Sequence, residues 1–68
     1  MNALQALETK AADELVNLWI VSEKMMDRVR KGSMKDADAD ALLMTRGWIM
    51  KAMQAKMTDA EFCKVVGA

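Results

Sequence analysis

Few side chains in this sequence are equipped for chemistry. There is no histidine, so the group most often poised as a general base near neutral pH is missing. The one cysteine, Cys63, stands beside Lys64 with no imidazole in the chain to activate it, and a buried or incidental thiol is the expectation. Gly32, Gly47 and Gly67 are too far apart to form a phosphate-cradling loop. Asp36, Asp38 and Asp40 alternate as at the start of a calcium loop. That loop needs a glycine where Ala41 stands and a bidentate glutamate where Gly47 stands. Negative charge ahead of a helix explains the aspartates without a metal. No catalytic residue, metal ligand or cofactor is expected, and the chain reads as a non-enzyme.

Recognition remains, and charge narrows it. Ten basic residues balance ten acidic ones, so no net field draws the chain to nucleic acid or to an anionic membrane. Arg28, Arg30, Lys31 and Lys35, with Arg46 further on, form a local basic cluster that the three aspartates largely neutralise. Helix-end electrostatics accounts for them better than phosphate contacts do. The longest unbroken apolar run, Leu18 to Val21, is far below the roughly 20 residues of a membrane span. The first residues lack a basic region, and Glu8 and Asp13 interrupt any secretory core, so a cytoplasmic setting is expected. Eight methionines are the strongest compositional signal, since flexible thioether side chains suit both core gaps and adaptable contact surfaces.

The elements that must position these residues are helical. The chain has no proline, few glycines and many Ala, Leu and Met, and at 68 residues it is expected to form one helical domain over residues 1–68. Asn2 and Gln5 have capping-box spacing, and the next helix breaker is Gly32, which predicts a first helix over about residues 3–31. Leu4, Leu7, Ala11, Leu15, Leu18, Ser22, Met25 and Val29 would form its inner stripe. Gly32 suits a left-handed helix end, and Ser33 with Asp36 resembles a new cap. A second helix is expected over about 34–57, antiparallel to the first, and Thr58 with Glu61 should open a short helix over about 59–66 that Gly67 closes.

The second helix carries two apolar stripes. Leu42, Ile49, Met50, Met53 and Met57 lie on one side, while Ala41, Thr45, Trp48, Ala52 and Ala55 lie well around from them. Two apolar sides call for two neighbours, and a chain this short buries little surface alone. With no disulfide or metal to supplement it, a homodimer forming a four-helix bundle is expected. Val16 and Ile20 point away from the inner stripe of the first helix, with Trp19 at its shoulder, and Met26 and Met44 fall off the main stripes. Together with Trp48, these six residues (Val16, Trp19, Ile20, Met26, Met44, Trp48) are the candidate partner-binding set.

In length, helical-hairpin layout over residues 2–57, neutral charge and lack of chemistry, the chain resembles the small early proteins of phages that inactivate host proteins. The quorum-sensing anti-activators and twitching-motility inhibitors of Pseudomonas phages are the nearest likeness. No motif carries the resemblance, and no residue role is transferred from it. It implies a two-helix dimer that binds and inhibits a host transcription regulator or motor ATPase. Two other readings stand beside it: an assembly subunit that binds only its own copies, and a nucleic-acid-binding hairpin regulator.

Overall fold

The computed structural model describes residues 2–67; Met1 and Ala68, which belong to the expected span of 1–68, lie outside the described residues. The fold is all-helical, with four helices packed together: α1 (Ala3–Glu8), α2 (Ala12–Arg30), α3 (Asp36–Lys56) and α4 (Asp59–Val66). Helix α3 is the hub, because α2, α1 and α4 all pack against it.

The expected long first helix is in fact two helices. Asn2 and Gln5 form the capping box that starts α1, but the helix stops at Thr9. The Thr9 hydroxyl donates to the Ala6 carbonyl at 2.7 Å, and the Lys10 amide donates to Leu7 O at 3.1 Å. A short polar side chain bonded to the backbone competes with helix continuation. Helix α2 then restarts from Ala11, whose side chain cannot cap, with Asp13 and Glu14 placing negative charge in the first turn.

This break frees α1 to pack on α3 and changes the argument for a second copy. Ala52, from the second apolar stripe of α3, is fully buried in a cluster with Leu15, Trp19, Ile49 and Met53, and Leu7 packs against that cluster. The second neighbour of α3 is therefore supplied within the chain. The doubled apolar character of α3 does not by itself demand a dimer.

At the turn, the Ser33 amide donates to Arg28 O and the Gly32 amide to Val29 O, both at 3.0 Å. This pair of bonds defines a Schellman motif, with Gly32 left-handed at φ 72°. The Ser33 hydroxyl also donates to Arg28 O at 3.0 Å, so Ser33 closes α2 instead of capping α3. Lys35 occupies the N-cap of α3 without a side-chain bond, and Asp36 and Asp38 lie in the first turn.

Thr58 and Glu61 complete the capping box of α4, and Gly67 ends it left-handed at φ 77°. The Thr58 backbone amide and then its hydroxyl donate to the Glu61 carboxylate, with Lys64 adding a smaller attraction, and these hold the Glu61 pKa below its usual value. Phe62, Val65 and Val66 pack against the central cluster.

Candidate protein-binding faces

The register of α2 against α3 is held by one basic side chain. Arg46 Nη1 donates to Ser22 Oγ at 2.9 Å, and Nη2 to Glu23 Oε1 at 2.6 Å. The guanidinium lies over the Trp19 ring, 4.2 Å from its centroid. Ser22, itself buried, donates its hydroxyl hydrogen bond to the Trp19 carbonyl at 2.6 Å. Among the described residues no buried side-chain polar atom lacks a partner, and the Arg46 side chain is only 16% exposed. Arg46 is therefore engaged within the chain.

Around this register the inward stripe of α2 is Leu15, Trp19 and Ser22, all buried, continued by the half-buried Met26 and Val29. It differs from the expected stripe at two steps. Trp19 takes the buried place expected for Leu18, which is half-buried and packs at the edge of the core, and Met26 replaces Met25, which is 37% exposed. Steps of four-three-four-three and three-four-three-four both fit a helix and share Leu15, Ser22 and Val29. Turning the larger ring inward buries more apolar area and sets its face under Arg46, which decides between them. The inward residues of α3 are Leu42, Ile49 and Met53, with Arg46 beside them.

Two flanks follow from this phase. One residue is roughly 100° of helix rotation, and in antiparallel neighbours a rotation of the same sense turns both helices to the same side. Residues that directly precede an inward one therefore share one side of the hairpin, and those that directly follow share the other. On the preceding side, Met25, Arg28, Asp38, Ala41 and Thr45 do line a common open cleft of about 620 Å³, together with Met34, Lys35 and Leu42. On the following side lie Val16, Ile20 and Leu43; Ile20 is 47% and Leu43 53% exposed.

The candidate set divides accordingly. Trp19, expected at the shoulder of an outer patch, is a core residue. Val16, expected to point away from the core, is half-buried and packs against it, while its neighbour one turn on, Ile20, is exposed. Met26 is half-buried on the inward stripe. Met44 is 60% exposed and lies one turn from the half-buried Trp48 on α3, toward the cleft side. Leu43 is a surface residue that the sequence reading did not single out. Its position next to Leu42 was the available signal, since a helix seldom faces two adjacent leucines inward.

Cys63 is exposed, and among the described residues no cluster of three or more acidic or cysteine side chains is arranged to hold a metal. No described helix is long and apolar enough to cross a membrane. Neither a protein-family model, nor a curated protein, nor a solved structure matches this chain.

Proposed function

We propose that this chain is a small non-enzymatic binding protein that occupies and inhibits a surface of another protein in the cytoplasm, using the side of the hairpin marked by Ile20 and Leu43. The observation that supports this reading is the exposure of these two large aliphatic side chains, 47% and 53%, on the same side of the two longest helices. The half-buried Val16 extends the patch. Leaving such groups in water contributes nothing to folding, whereas burying each in an interface is worth about 1.5–3 kcal/mol. The resemblance in length, neutral charge and hairpin layout to phage-encoded host modulators motivates the same class of action, although the chain has four described helices and that layout has two. In this reading the chain also self-associates, through its other side, into a homodimer whose central four-helix bundle is made of α2 and α3 from both copies.

Ile20→Glu tests the contact surface. Glutamate is a good helix former, so the helical circular dichroism should persist and the dimer should be retained while partner binding falls at least tenfold. Unchanged affinity for the partner would remove Ile20 from the interface. Loss of the dimer would assign this side to self-association.

A further inference from the structure

We propose that α1 is a strap over the cleft side, released when α1 and α2 join into one continuous helix over residues 3–30. What the strap regulates rests on the reading that the chain self-associates through that side. Ala41, Thr45, Trp48, Ala52 and Ala55 recur along α3 at steps of four and three and form one stripe. At its near end Ala41 and Thr45 line the open cleft. Further along, Ala52 is fully buried where α1 packs on α3 and Leu7 reaches the core cluster. A second copy seated along the whole stripe therefore has to displace α1.

Helix α1 is lightly held. It has no buried residue, and among the described residues its hydrogen bonds stay within residues 2–10, so its attachment to α3 is apolar contact. The Lys10–Glu14 ion pair spans the break at 4.0 Å, and its i, i+4 spacing suits an unbroken helix equally well. The backbone at the break is close to helical. Thr9 has right-handed helical angles (φ −80°, ψ −12°) and Ala11 a helical φ of −69°, while the ψ of Ala11, 156°, turns the chain aside. No glycine or proline holds it there. Among the described residues the amides of Ala11, Ala12 and Asp13 have no partner within the chain, and an unbroken helix offers them the carbonyls of Leu7, Glu8 and Thr9. The apolar contact of α1 is thus set against three backbone hydrogen bonds. In the released helix Leu4, Leu7 and Ala11 fall in line with Leu15 and Leu18.

Two substitutions shift the break in opposite directions. Ala12→Pro holds it, because proline suits the first position of a helix and an extended residue before it, which Ala11 is. In an unbroken helix the same proline loses a hydrogen bond and strikes the Glu8 carbonyl. Thr9→Ala favours release, because it removes the hydroxyl bond to Ala6 and alanine has the higher helix propensity. Chemical-exchange saturation transfer at the Ala11 Cα, in monomeric samples, reads the released state as a minor signal with a helical shift. It is expected at about 0.1–10% in wild type, about threefold higher in Thr9→Ala and absent in Ala12→Pro. Both copies must open to associate, so the dimer dissociation constant from sedimentation equilibrium should fall about ninefold in Thr9→Ala and rise on the order of tenfold or more in Ala12→Pro. Circular dichroism checks that both variants remain folded. No helical minor signal in wild type and Thr9→Ala, or an undiminished one in Ala12→Pro, overturns the strap. An Ala12→Pro dimer as tight as wild type overturns its control of the cleft side. A wild-type chain that sediments as a monomer at tens of micromolar overturns the self-association reading instead, and the Ala11 signal still decides whether α1 is released.

Discussion

Arg46 lies where a charge would be expensive if it were unpaired, between the Trp19 ring, the Ser22 hydroxyl and the Glu23 carboxylate. Replacing it with Met keeps the aliphatic stem but loses the cation–π contact and both hydrogen bonds, and should lower stability by about 1–3 kcal/mol in urea denaturation. Arg46→Lys should recover little of that loss, because an ammonium lacks the planar fork that reaches Ser22 and Glu23 together. The two interior glycines of the hairpin separate in sign. At Gly32, φ is +72°, so Gly32→Val should cost about 1 kcal/mol or more even though a Cβ there meets nothing within 4 Å. Gly47 lies within α3 with the same open space around it, so Gly47→Ala should stabilise by about 0.5–1 kcal/mol. Thermal unfolding of the pair checks both. Gly32 was legible from sequence because a glycine directly after Arg30 and Lys31 has one common use. The partner of Arg46 was not, since a lone arginine among apolar residues carries no mark of which ring it will cover.

Among the elements, the ends of the helices were more readable than their continuity. Asn2, Gly32, Thr58 and Gly67 each act through local backbone bonds, and local bonds follow from adjacent residues. The break at residues 9–11 was missed because neither glycine nor proline marks it; the available signals were Thr9 and the acidic pair Asp13 and Glu14. Ala11 leaves the α2 terminus without a side-chain acceptor, so Ala11→Ser should add about 0.5–2 kcal/mol of stability if the helix starts there. In an unbroken helix the same change would be neutral or slightly unfavourable. The α4 cap carries a pH dependence. The Glu61 pKa is lower in the folded chain than in the unfolded one, so its contribution is complete above the unfolded carboxylate pKa and is lost as the pH falls through the lower folded value. The stability difference between wild type and Glu61→Gln should therefore shrink across the acidic range, and a constant difference down to low pH would mean that the charge adds nothing to the cap.

For the whole molecule, the helical class and the antiparallel hairpin were plain from composition and turn chemistry, and the packing phase was not. Leu15, Ser22 and Val29 fit two stripes equally well, and the choice of Trp19 over Leu18 for the centre of the interface, with Leu18 half-buried at its edge, decides which flanks remain outside. That choice moves Trp19 inward and brings Ile20 and Leu43 to one side, with the Met25 cleft on the other. The proposed function rests on this division into two apolar sides with different occupants. Site-specific photo-cross-linking in cells tests it most directly, with a photoreactive side chain placed singly at Ile20, Leu43, Met25 and, as an exposed control, Lys24. The expected result is that positions 20 and 43 yield an adduct with a chain other than this one, position 25 yields an adduct of twice the 7.6 kDa chain mass, and position 24 yields neither. Adducts at 20 and 43 that contain only a second copy, or no adduct at either, would contradict a foreign partner on that side.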